Sequence, residues 1–325
     1  MRTLLFLLVL TAFLLVSCTA GPLLRPDTTD TAAPDTTAPV PVTEETAPAE
    51  TTSPDTAPPE TTAEPLPILT ALTLPFSAVE FRVGESITPA VSIAPTEADV
   101  SLLWESSDPA VATVSGNGTL TALREGQCTV SVTADTLTAS LTVSVVDADS
   151  PVRIDGVLIV NKTYPLPESY AYGRDETAFS QLCALFSAAK AEGFALKVAS
   201  GYRSFADQRY IYNGYVAANG QEAADRFSAR PGHSEHQSGL AFDVNHPDSK
   251  ELLTAFGDSP VGIWIAENAH RYGFIIRYPK EKESVTGYMY EPWHLRYVGE
   301  DLAADLYESG LSVEEHFGLS SAYGE

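Results

Sequence analysis

The period of the hydrophobic pattern changes once along this chain, near residue 150, and that change limits the folds open to it. Between Ile68 and Val146, runs such as AVEFRVG, AVATVS, GTLTAL, CTVSVTA and ASLTVSVV alternate apolar with polar residues and are broken by Gly, Asn, Asp and Pro. Alternation turns one side of each run inward, so this stretch reads as the short antiparallel strands of an all-β sandwich. Beyond Pro151 the spacing becomes three-and-four. In DETAFSQLCALFSAAKAEG, the residues Phe179, Leu182, Leu185, Phe186 and Ala189 fall on one face of a helix that Gly193 would stop. A chain of 325 residues with two such patterns is expected to form two domains.

The second domain continues with a strand in FALKVAS, a turn at GYRS and a helix from about Phe205 to Ala218, which Ser204 can cap. A strand in LAFDV, a helix from about Pro260 to Tyr272, a strand in FIIRYP, the EPWH segment and a helix from Asp301 to Glu308 follow. This mixed order reads as an α+β domain.

The N-terminus reads differently from both. Arg2 precedes an apolar run, Leu4 to Val16, that is short for a spanning helix and suits the core of an export signal. The run ends in Leu-Val-Ser-Cys, which resembles a bacterial lipobox. That resemblance implies a signal over residues 1–18, cleavage before Cys18 and a lipid on Cys18, so that the protein is anchored to the outer face of the plasma membrane and does not span it. The alternative is an ordinary cleaved signal with an incidental cysteine. Residues 19–65 carry almost no large apolar side chains after Leu24 and set Asp27, Asp30, Asp35, Glu44, Glu45, Glu50, Asp55, Glu60 and Glu64 against Arg25 alone. Such a segment cannot offset its ordering entropy, and it is expected to be a disordered, extended tether reaching into the cell wall.

Acidic residues outnumber basic ones 43 to 19, a formal charge of -24. A chain this negative repels nucleic-acid phosphates, so no nucleic-acid partner is expected. Cys128 and Cys183 read as two buried free thiols in separate domains. A monomer is expected.

Residues 66–148 resemble the bacterial immunoglobulin-like group 2 domain: Trp104, Ser106, Ser107, Asp108, Val111, Ala112, Val114, Gly118 and Gly126 stand where that family has its signature. The resemblance implies a sandwich acting as a spacer or wall-adhesion module, with Trp104 as a core anchor.

Two short stretches carry the candidate chemistry. In SEHQSGLAFDV, strand alternation puts Leu240, Phe242 and Val244 on one face and Ala241 with Asp243 on the other, while His236 precedes the strand. In YEPWHLRYVG, Glu291 and His294 are three positions apart, and Pro292 between them excludes the helical HExxH zinc motif. Two imidazoles and one carboxylate would leave one position of a tetrahedral zinc open for water, with a further glutamate to take the water's proton. Read alone, these residues fit either a metal site or solvated surface side chains.

The blocks SGYRSFADQ, GHSEHQSGLAFDV and EPWHLRYVG together resemble the VanY-like D-alanyl-D-alanine carboxypeptidases, zinc peptidases of bacterial cell-wall metabolism, over most of Ala199 to Gly299. For residues 149–325 the resemblance implies a small antiparallel sheet with helices. It further implies one Zn2+ per chain held by His236, Asp243 and His294, Glu291 as general base, Arg203 gripping substrate, and Gln208 and Ser234 as supporting contacts. The implied partner is the peptidoglycan stem peptide, trimmed of its C-terminal D-alanine. An L,D-carboxypeptidase, a cell-wall endopeptidase or a non-catalytic wall-binding protein stand as alternatives. Trp293 and Tyr202 could wall the cleft or pack in the core.

Overall fold

The computed structural model describes residues 67–323. The expected signal, Cys18 and the whole of the expected tether lie outside the described residues. Among the described residues, no helix is long and apolar enough to cross a membrane.

The N-terminal sandwich has nine strands: β1 Ala71–Thr73, β2 Ala78–Arg82, β3 Ser86–Ile87, β4 Ser92–Ala94, β5 Leu103–Ser106, β6 Ala112–Val114, β7 Leu120–Ala122, β8 Gly126–Ala134 and β9 Leu137–Val146. The alternation read from the sequence fills its core. Val79 and Phe81 of β2, Cys128, Val130 and Val132 of β8, and Leu141, Val143 and Val145 of β9 are all buried. Trp104 packs against this interior as a core anchor should.

The sheet does not stop where the sequence pattern changes. A hairpin of β10 Arg153–Ile154 and β11 Val157–Leu158 pairs with β2, giving the strand order β11-β10-β2-β9-β8-β5, antiparallel except for the parallel pair β2 and β9. Two-residue strands carry too few residues for alternation to register, so periodicity did not reveal them.

The C-terminal part begins with α1 Glu176–Ala191, N-capped by the Asp175 side chain, and β12 Lys197–Ser200. Next come α2 Phe205–Asn219, capped by Ser204, and α3 Gln221–Phe227, a separate helix after Gly220 that the sequence reading did not separate out. Then follow β13 Ala241–Asn245, α4 Pro260–Asn268, β14 Phe274–Ile276, α5 Glu283–Thr286, β15 His294–Tyr297, α6 Glu300–Ser309 and α7 Val313–Phe317. The helix expected over Pro260–Tyr272 tightens into a 3-10 turn at Ala269–Tyr272. α7 was also missed, although Ser312 and Glu315 form a capping box whose Ser-x-x-Glu signature is readable.

Four strands form one antiparallel sheet in the order β12-β13-β15-β14. Its apolar side, with Phe242, Val244, Leu295 and Phe274, packs on Ala178, Leu182 and Leu185 of α1 and Ile265 of α4. The expectation of two buried thiols is half corrected. Cys128 is buried, but Cys183 is exposed, because it follows Leu182 by about 100° of helix rotation and so turns away from the face that Leu182 and Leu185 bury.

Sandwich and mixed domain share a core. Val152, Ile154, Ile159, Tyr164, Leu306, Val313 and Phe317 belong to the same buried cluster as Val79, Phe81 and Val143. Phe76 of the sandwich meets Phe317 edge to face at 6.4 Å, and Arg82 donates to the carbonyl of Pro165 at 3.3 Å. The described part of the chain should therefore unfold in one cooperative transition. Phe317→Ala, a large-to-small change in this cluster, should cost about 3–5 kcal/mol in denaturant unfolding. Two separate transitions, with only one shifted by the substitution, would show that the shared core does not couple the two parts.

Candidate metal centre

Register builds the site. β13 and β15 pair so that Asp243 stands opposite His294, Phe242 opposite Leu295 and Ala241 opposite Arg296. Since Phe242 and Leu295 enter the apolar layer, Asp243, His294 and Arg296 face the other side of the sheet. His236 arrives from a 3-10 turn, Glu235–Ser238, that ends at Gly239 with φ +76°. A Cβ at Gly239 would collide with the carbonyl of Gly173, so only glycine lets the turn seat against that loop.

The three side chains converge. His236 Nε2 lies 3.3 Å from Asp243 Oδ2, and His294 Nδ1 lies 3.1 Å from Asp243 Oδ1. His236 Nδ1 is 2.8 Å from the carbonyl of Gly201, an acceptor that requires a proton on Nδ1 and leaves the Nε2 lone pair free. One ligand atom from each of the three residues falls within 4.8 Å of the others. All three are buried, at 4%, 4% and 3% exposure, so these are not solvated surface groups.

Electrostatics show what is missing among them. Burial pulls the pKa of His294 down, but hydrogen bonds and charges from Asp243 and Glu235 outweigh burial and hold it up at about 9. Burial raises that of Asp243, and His236 and His294 reverse this, leaving it well below the usual carboxylate range. Positive charge is thus drawn to a point ringed by two imidazoles and a carboxylate, a donor set that suits zinc.

Glu291 and His294 share one tight turn. The His294 N–H bonds to the Glu291 carbonyl at 3.1 Å, and the Glu291 N–H bonds to the Tyr278 carbonyl at 3.0 Å. The turn leaves Glu291 Oε2 3.8 Å from His294 Nδ1. Burial, aided by the charge of Asp243 and opposed by His294 and Arg203, raises the Glu291 carboxyl to about 7.

A cleft of about 580 Å³ opens over these residues, with Arg203, Ser234 and Tyr278 in its walls. Arg203 donates to Gln208 Oε1 at 2.7 Å and to Ser200 Oγ at 3.0 Å, and its backbone N–H bonds to the His236 carbonyl. Gln208 does not line the cleft. It is 1% exposed, its amide bonds to the Ala229 carbonyl at 2.6 Å, and its Oε1 accepts from Arg203, which places it behind the guanidinium. Trp293 both lines the cleft and packs in the core, whereas Tyr202 is not among the lining residues.

The sequence reading missed Glu235, Arg277, Arg296 and Glu314, which form a fully buried charge cluster behind His294. One signal was available: His294 and Arg296 are two apart on a strand and must share a face.

Residues 174–300 match the family described as VanY, D-alanyl-D-alanine carboxypeptidase, and residues 70–145 match the group 2 bacterial Ig-like domain. In fold the chain is similar to the LdcB LD-carboxypeptidase, with a TM-score of 0.50 and 42% identity over 55% of this chain and 97% of that one. Residues 174–300 belong to the VanY family. It is also 43% identical over 180 residues to YodJ of Bacillus subtilis and 36% identical over 182 residues to a D-alanyl-D-alanine carboxypeptidase of Enterococcus faecalis. Each alignment covers 49% of this chain, and they cover 66% and 65% of those relatives, just under two thirds of their length.

In this VanY domain a cation bound to His294 would have to displace the proton that Asp243 and Glu235 favour there. Below about pH 9, apparent zinc affinity should therefore rise about tenfold per pH unit, one proton being released. Chelator competition at pH 6, 7 and 8 reads this directly, and an affinity flat across that range would remove His294 from the ligand set. In the metal-free protein the sign is opposite. The stability contributed by His294 is complete below about 6.5 and is lost as pH rises through about 9.

Proposed function

We propose that this protein is a zinc-dependent D-alanyl-D-alanine carboxypeptidase that removes the C-terminal D-alanine from peptidoglycan stem peptides. Arg203 carries the reading. Its guanidinium lies in the wall of the cleft that holds His236, Asp243, His294 and Glu291, and no carboxylate pairs with it among the described residues. Its two side-chain partners, Gln208 and Ser200, are neutral, so the charge stays uncompensated while other N–H groups of its five remain free. An exopeptidase needs such a group, because a planar guanidinium binds a terminal carboxylate through two parallel hydrogen bonds.

His236, Asp243 and His294 would hold one zinc ion, which when bound supplies a Lewis acid for the scissile carbonyl and brings the pKa of water toward neutrality. Glu291 stands beside that set. A carboxyl near neutrality can take a proton from water and return it to the leaving amine. Ser234 lines the cleft, its side chain makes no capping bond to the turn that follows it, and its hydroxyl can bond the substrate backbone. Ile211, Tyr215, Phe227 and Leu252 line the rest of the cleft and can cover the stem.

The likeness to LdcB favours a second reading, an L,D-carboxypeptidase trimming tetrapeptide stems. The two differ in the residue before the cut, so weighing the products from defined pentapeptide and tetrapeptide stems separates them. In the same assay Arg203→Ala should lose about a hundredfold or more in kcat/KM on a free-acid peptide and change little on its C-terminal amide, charged hydrogen bonds contributing roughly 1.5–3 kcal/mol each. Glu291→Gln should keep zinc and lose about a hundredfold to ten-thousandfold in kcat. Equal cleavage of acid and amide, slowed alike by Arg203→Ala, would turn the reading to an endopeptidase.

We infer that Cys18 carries a lipid and that the tether and sandwich hold the cleft out in the wall, outside the plasma membrane. Cys18→Ala should then move the protein from the membrane fraction to the medium; unchanged membrane association would refute the anchor.

A further inference from the structure

Glu235 precedes a metal-site histidine and has no part in the chemistry above, yet it is 1% exposed and fully engaged. Its Oε1 accepts from Arg277 Nε and Arg296 Nη1, each at 2.7 Å, and its Oε2 lies 3.2 Å from His294 Nε2. Arg277 continues to Glu314 through two bonds of 2.8 and 2.6 Å, and Asn161 donates to Glu314 at 3.0 Å. His294 thus has a carboxylate at each ring nitrogen, Asp243 at Nδ1 and Glu235 at Nε2.

The two carboxylates are not equivalent. No lysine or arginine pairs with Asp243 among the described residues, and its oxygens face both histidines, so its charge is available to a cation. Glu235 is neutralised by two guanidiniums that occupy one oxygen and aim the other at the imidazole. A carboxylate held this way is a poor ligand and a good hydrogen-bond acceptor. Which nitrogen of a histidine binds metal is set by the bond that the other one makes.

We propose that Glu235 is a positioning residue that accepts the Nε2 proton of His294, fixing the tautomer in which Nδ1 is bare and turned toward Asp243 and His236, and thereby setting the affinity of the site for metal. This rests on the zinc reading above. Arg277 and Arg296 act through Glu235 by keeping its carboxylate charged and still, whereas Glu314 touches Arg277 and Asn161 but neither Glu235 nor His294.

The test compares two buried glutamates in the full chain, with zinc as the probe. Both Glu235→Gln and Glu314→Gln disturb Arg277, and both should lower the melting temperature. Only Glu235→Gln touches His294, and it should weaken zinc binding about tenfold to a hundredfold in chelator competition, while Glu314→Gln keeps wild-type affinity. Equal zinc affinity in the two variants would overturn the proposal. Should Glu235→Gln fail to fold, nitrogen-15 spectra of histidine-labelled, zinc-loaded wild type decide: a protonated Nε2 on His294 supports the assignment, and a bare Nε2 overturns it. A wild type that binds no zinc refutes the metal reading itself, and this proposal with it.

Discussion

Asp243 and His294 face each other across one antiparallel step, and every other group in the cleft takes its place from that step. A slip of one residue would turn both into the apolar layer on α1 and bring Phe242 and Leu295 out in their place, so the packing that buries the hydrophobic residues also selects the polar pair. His236 and Arg203 are then fixed relative to the strands by two bonds, from His236 Nδ1 to the Gly201 carbonyl and from the Arg203 N–H to the His236 carbonyl. The site is held from its backbone and does not depend on long side chains finding one another.

Behind it, Glu235 and Glu314 offset Arg277 and Arg296 with almost no access to water. Such a cluster contributes little net stability over an apolar core, while removing any one member strands its partner at a cost of about 3–5 kcal/mol. What it supplies is definition. Four charges that must all pair leave few other arrangements for β14, β15, α7 and the turn that carries His236.

Much of the site was legible because it is local or alternating. Strand period placed Asp243 away from Phe242, and Glu291 and His294 sit in one turn that the Pro-Trp spacer builds. Family blocks pointed to His236, Arg203 and Ser234 as well. The charge cluster was not legible, because its partners lie 37 to 61 residues apart and no local pattern couples them. The place of Gln208 behind Arg203 was not legible for the same reason, since its amide bonds to the Ala229 carbonyl on a segment 21 residues away. Cys183 erred on helix phase alone. The sandwich was legible from alternation, but the β10–β11 hairpin was too short to announce itself.

Residues 146–173 fall between the two family matches and belong to neither. They hold β10 and β11, the carbonyl of Leu158 that receives Arg296 at 2.6 Å, Asn161 that reaches Glu314, and Tyr164 in the common core. Domain shuffling treats such a stretch as a neutral splice point. In this protein it is a graft union: swapping the sandwich for another module at residue 146 or 173 would bring matched partners to only one side of the join. A chimera that separates the two modules has to rebuild this union before its peptidase-like half can regain the packing it has here.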